Sequence, residues 1–247
     1  MPIYLYDGTW EAFLTLLSQL VFEKSNNLNE LRVYNLRLLC RKGVPFLGEK
    51  IEVSEVWIEK IKKFIHEIGG DQLLREVYHW YLCDRANIEI PLAMCLKKAE
   101  KDPEIFLRPQ IIEAVKLQKA KKSLLRERHR WLGFLRFYSP EEGVLFASFE
   151  PQYNVLPLLG GHFVKRFPQE KLFIVDTLRG LLFLGQGRRS KLLFLEEWDV
   201  DLKKLKDPFF EIWKTYFREI AVPERVDLKR QQKRVPLKVR PFLPEFM

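Results

Sequence analysis

The chain has 247 residues, 47% of them hydrophobic and 30% charged, which is enough apolar material for a folded core and too much for a disordered chain. Lysine and arginine outnumber the acids 42 to 33, and the resulting net charge of +9 brings polyanions forward as partners without naming one. Three dispersed cysteines, Cys40, Cys83 and Cys95, exclude a disulfide framework and fit a reducing compartment. No apolar run reaches the roughly 18 residues of a membrane span, and the N-terminus lacks the basic and apolar regions of a leader. The expectation is a soluble, cytoplasmic protein with no membrane partner.

Residues 3–6 read as a short strand, followed by the turn Asp7-Gly8-Thr9, whose Thr9 caps a helix carrying Phe13, Leu16, Leu17, Leu20 and Val21. Residues 30–41 are again compatible with helix. Gly43-Val44-Pro45 and Gly48 punctuate a loop before Ser54, which caps a helix with Trp57, Ile58, Ile61, Ile65 and Ile68 at helical spacing. Gly69-Gly70 ends that helix and Asp71 starts another with Leu74, Val77, Tyr78, Tyr81 and Leu82. A further helix follows Pro91, and a long basic one runs from about Pro109 to Arg130.

Beyond Gly133 the period changes. Residues 135–138 and 144–149 look like two strands of a hairpin across Pro140-Glu141-Glu142-Gly143. Asn154 caps a helix through Phe167, against which Gly160-Gly161 counts. Residues 171–176, 180–184 and 191–195 suggest three more strands, and their short links favour an antiparallel meander. Pro208 opens a last helix bearing Phe210, Trp213, Phe217 and Ile220, which Pro223 ends. The fold class expected is α+β: a helical N-terminal half, then an antiparallel sheet of about five strands with packed helices and an extended basic C-terminal tail. The divisions are residues 1–110, 111–223 with the basic helix and α+β core, and the tail 224–247, within what is compatible with one continuous domain.

The charge is concentrated. Residues 116–137 hold eight basic residues against Glu127 alone, a balance of +7, and the tail from Glu224 has seven against three, a balance of +4. The rest of the chain therefore sums to −2. On a helical wheel Lys116, Lys119, Lys122, Arg126, His129 and Arg130 share one side, while Leu117, Ala120, Leu124 and Trp131 share the other. Such a stripe suits a phosphate backbone, and it would serve equally as a solvated helix face. Arg128 lies at the edge of the apolar arc, where it either pairs with a buried carboxylate or marks the helix end.

His162 and Arg166 are four residues apart on one helix face, and Glu150 and Asp176 end their strands, where sheets often offer functional groups. Packing and turn formation account for the same residues. His79 and Cys83 are also four apart, but a zinc site needs ligands that the neighbouring sequence lacks, so the pair reads as structural. No Walker loop, dinucleotide fingerprint, nucleophile elbow, zinc-protease motif or cysteine cluster is present, and no cofactor is expected.

Several blocks resemble the uncharacterised bacterial family called probable DNA metabolism proteins. They are residues 4–15, Arg128 to Phe137, Glu150 to Leu159 with His162-Phe163 and Arg166-Phe167, then Asp176 and Arg179-Gly180. Trp213 to Phe217, Ile220-Ala221, Glu224-Arg225 and a tail glutamine complete the set. The resemblance implies association with a radical-SAM protein of DNA modification or repair, and its core domain also occurs fused to uracil-DNA glycosylase domains. The tail departs from the family pattern, with Asp227 where an asparagine is usual and Pro241-Phe242-Leu243-Pro244 in place of an aromatic-rich ending.

The leading expectation is a DNA-associated accessory protein acting with a radical-SAM partner. Its phosphate contacts would come from Lys119, Lys122, Arg126, Arg130, Arg136, Arg166, Arg179, Arg225, Lys229 and Arg230, with Trp131, Tyr153 or Phe137 available to stack on a base. One alternative is a DNA-processing enzyme using His129, Glu150, His162 and Asp176 with Arg166. Another is a protein-binding subunit whose basic segments meet an acidic partner.

Overall fold

The computed structural model describes residues 2–22, 28–40, 47–84, 86–195 and 235–243. The chain divides into two compact units, Met1–Arg126 and Glu127–Met247. The helix expected from Pro208 lies outside the described residues, as do Arg225, Lys229 and Arg230.

The first unit contains a three-stranded parallel sheet in the order β2-β1-β3, formed by β1 (Ile3–Tyr6), β2 (Arg32–Asn35) and β3 (Glu49–Lys50). Only the first of these strands is visible as a pattern. Arg32–Asn35, expected within a helix, pairs with β1 instead, and helix α2 occupies only Leu36–Cys40. A tertiary partner outweighs the weak helical pattern of a four-residue segment containing Val33 and Tyr34.

Helix α1 (Trp10–Phe22) starts as expected: Asp7 Oδ1 accepts from the Thr9 amide at 2.8 Å, and Thr9 Oγ1 accepts from the Ala12 amide at 3.1 Å. It is buried almost all round, from Ala12 through Val21, which marks a central core helix rather than a surface one. Helix α3 (Glu55–Tyr81) packs on it and breaks at Gly69-Gly70, where Gly70 has φ 59. Ser54 stands at its start without a side-chain cap bond. Trp10, Phe13, Tyr78 and Tyr81 form an aromatic cluster, and the Tyr81 hydroxyl donates to the Gly8 carbonyl at 2.9 Å. Cys83 Sγ donates back to the His79 carbonyl at 3.3 Å, and burial pushes both the Cys83 and Cys95 thiols up to about 12.

Helix α4 (Glu89–Ala99) begins with a buried carboxyl, Glu89, whose Oε1 accepts from the Tyr6 hydroxyl at 3.0 Å. Burial raises its pKa above the ordinary 4.5, against opposing hydrogen bonds from its own backbone amide and Tyr6. Above the unfolded-chain pKa the folded state therefore binds more protons than the unfolded one, and stability falls as pH rises toward the folded value. Glu89→Gln is expected to remove this loss. Unfolding experiments should show the variant gaining on the parent protein as pH climbs from 4.5 toward neutrality, whereas a constant difference would refute the assignment.

The second unit is built on a four-stranded mixed sheet in the order β4-β5-β6-β7: β4 (Val144–Phe149), β5 (Lys171–Asp176), β6 (Leu181–Gln186) and β7 (Arg189–Phe194). The expected all-antiparallel sheet of about five strands is corrected in two places. β4 and β5 are parallel because α6 (Leu156–Arg166) crosses between them, whereas the tight links on either side of β6 keep its pairings antiparallel. Residues 135–138 contribute only a bridge between Tyr138 and Phe146. Gly160 does not weaken α6; a methyl group there would overlap the Phe183 ring, so glycine is what lets the helix approach the sheet.

Trp131, Phe149, Leu159, Phe163, Ile174 and Phe183 form this unit's core. The described part of the tail is not extended. Leu237–Phe242 is a 3-10 helix, with Val239 and Leu243 buried and Phe242 edge-on to Trp131 at 6.2 Å. Among the described residues no helix is long and apolar enough to cross a membrane.

Candidate nucleic-acid interface

Helix α5 (Ile112–Phe134) arises from the segment with the highest charge density, and its wheel is realised in the structure. Leu117, Ala120, Leu124 and Trp131 are buried, while Lys116, Lys119, Lys122, Arg126, His129 and Arg130 are exposed. Lys116 donates to the Asn87 carbonyl at 2.9 Å and Lys121, off the stripe, pairs with Glu76. Among the described residues no side chain of Lys119, Lys122, Arg126 or Arg130 makes an ion pair or hydrogen bond. Lys119 and Lys122 also border a cavity of about 260 Å³ with Leu107, Pro109 and Val115.

The lone acid of this segment has a different task. Glu127 is buried, and its Oε1 and Oε2 accept the Gln152 and Tyr153 amides at 2.9 and 2.8 Å. From the other side Arg179 Nη1 donates to the Pro151 carbonyl at 3.2 Å and Nη2 to the Gln152 carbonyl at 2.8 Å. Asp176 Oδ2 accepts from Arg179 Nη1 at 2.9 Å, while Oδ1 accepts the Leu178 and Arg179 amides. One acidic and one basic side chain thus satisfy two amides and two carbonyls of the loop that joins β4 to α6. The clamp fixes residues 151–153 while the Gln152 side chain remains exposed.

The structure distributes the other expected site residues unevenly. Asp176 and Arg179 are buried inside the clamp, which accounts for both without a ligand. His129, Glu150 and His162 are exposed, and none of the three lines the cavities described for this chain. Arg166 is exposed, with its guanidinium 5.4 Å from the Phe167 ring centre. Arg136 donates to the Gly133 carbonyl at 2.7 Å. Arg128 donates to the Leu158 carbonyl at 3.2 Å, so it meets a backbone oxygen rather than a buried carboxylate. Trp131 is core, edge-on to Phe149 at 5.0 Å, and Phe137 packs on Phe163 and Phe167; Tyr153 is half-buried. Among the described residues no three His, Cys, Asp or Glu side chains gather as a metal set.

Glu127 is the residue that sequence reasoning missed. Its signal lay in position: it continues the apolar series Leu117, Ala120, Leu124 and Trp131, so a lone acid stood on the buried side of a basic helix.

Residues 87–245 match the domain of unknown function DUF4130, more than half of the chain, and the chain belongs to that family. The match takes in α5, the clamp and the whole four-stranded sheet. No curated protein and no solved structure matched the chain.

Proposed function

We propose that this protein is a DNA-associated accessory factor of DNA repair or modification, which lays the α5 stripe along a phosphate backbone and acts beside a radical-SAM partner. The observation that carries the reading is the set Lys119, Lys122, Arg126 and Arg130, four exposed cations on one helix face with no protein partner among the described residues. Cations left to solvent at this density on one helix give a concentrated positive field for a polyanion. The choice of DNA, and of the radical-SAM partner, is supported by the blocks that resemble the probable DNA metabolism family, one of which begins at Arg128 within α5.

The test is binding of a labelled DNA duplex by fluorescence anisotropy. The chain carrying Lys119→Gln, Lys122→Gln, Arg126→Gln and Arg130→Gln should lose affinity by on the order of a hundredfold at moderate salt, since four phosphate contacts disappear. Unchanged affinity would remove the stripe from the interface. No binding by the parent chain at low salt, together with nuclease-resistant co-purification of a radical-SAM protein, would favour the protein-binding alternative.

A further inference from the structure

The face of the four-stranded sheet opposite α6 has its own basic feature, far in sequence from the two charged segments. Gly185 and Phe183 approach α6, so strand alternation turns Leu184 and Gln186 to the other face. The register extends that face: Phe173 pairs with Leu184, Leu184 with Lys191, and Gln186 with Arg189, while Lys171 lies two residues before Phe173. Together they line a groove of about 280 Å³, floored by Phe173 and Leu184 and rimmed by Lys171, Arg189 and Lys191. All three cations are exposed, no residue lining the groove is acidic, and among the described residues none of the three makes an ion pair.

Cations on an edge strand commonly guard it against unwanted pairing, which would account for Arg189 and Lys191 on β7, the last strand of the sheet among the described residues. Lys171 escapes that explanation because β5 lies inside the sheet, between β4 and β6. A positive rim around an aromatic floor matches a ligand that alternates phosphate with a flat ring. A rigid duplex offers its phosphates but not its ring faces.

We infer that this groove docks single-stranded nucleic acid, with backbone phosphates on Lys171, Arg189 and Lys191 and a base stacked on Phe173. The inference extends the proposed DNA association to a second surface but rests on different residues, and the two can fail separately.

The experiment uses the full chain and a labelled oligothymidine, with the matching duplex and heparin as comparison ligands, in the parent and in the variant carrying four glutamines on α5. Lys171→Gln, Arg189→Gln and Lys191→Gln together should weaken oligothymidine binding in both backgrounds and make its salt dependence shallower by roughly 2 in log–log slope. Phe173→Leu should weaken oligothymidine on the order of tenfold and leave heparin unchanged. As a readout that needs no substitution in the groove, photocrosslinking of a bromodeoxyuridine-containing strand should label the segment that includes Phe173. Unchanged oligothymidine affinity in the triple variant overturns the inference while leaving the α5 reading intact. Equal losses for heparin and oligothymidine on Phe173→Leu, or crosslinks confined to other segments, also overturn it.

Discussion

Replacing Arg179 with alanine is expected to destabilise the second unit by about 3–5 kcal/mol, because it strips the guanidinium from the buried Asp176 carboxylate and leaves only backbone amides to offset its burial. The same change removes the donors to the Pro151 and Gln152 carbonyls, so the loop entering α6 loosens as well. Arg179→Lys should recover little, since one ammonium cannot reproduce two guanidinium nitrogens that reach three acceptors. Hydrogen exchange of the β5 and β6 amides reads the effect directly in the affected unit, which matters because two units need not unfold together. Wild-type protection in Arg179→Ala would show that the buried pair does not hold this fold.

Glu127→Ala is expected to have the next largest effect, a loss of about 3 kcal/mol, at the upper end for a hydrogen-bonded charged group because two amides lose their acceptor. Glu127→Gln discriminates between shape and chemistry. Each carboxylate oxygen accepts one amide, whereas the glutamine NH₂ would face an N–H donor, so the isosteric variant should lose nearly as much as alanine. Exchange at the amides of Gln152 and Tyr153 should accelerate most. A glutamine variant as stable as the parent protein would mean that the carboxylate merely fills space.

These effects explain why part of the site was legible in the sequence and part was not. The stripe on α5 follows from a 3.6-residue period within one element, so its exposed cations and buried Leu117, Ala120, Leu124 and Trp131 could be read directly. The clamp depends on three segments meeting across about 25 and 28 residues of chain, and no local period carries that information. For this reason Asp176 and Arg179 read as a catalytic and a phosphate-binding group, although they turn each other inward.

Strand direction shows the same division. The tight links around β6 announced antiparallel pairing, while the segment from Phe149 to Lys171 is long enough to hold α6 and return parallel, a cue present in its length. Arg32–Asn35 offered no such cue, because β1 as its partner decides its state. The groove around Phe173 was hidden differently: Lys171 and Arg189 become neighbours only through the register of β5, β6 and β7.

The most direct test of the account is the salt dependence of duplex binding. In a plot of log association constant against log salt, replacing Lys119, Lys122, Arg126 and Arg130 by glutamine should make the slope shallower by about 3 to 4, one counterion-release increment for each lost phosphate contact. Parallel lines for the parent chain and the variant would contradict the proposal that α5 holds DNA.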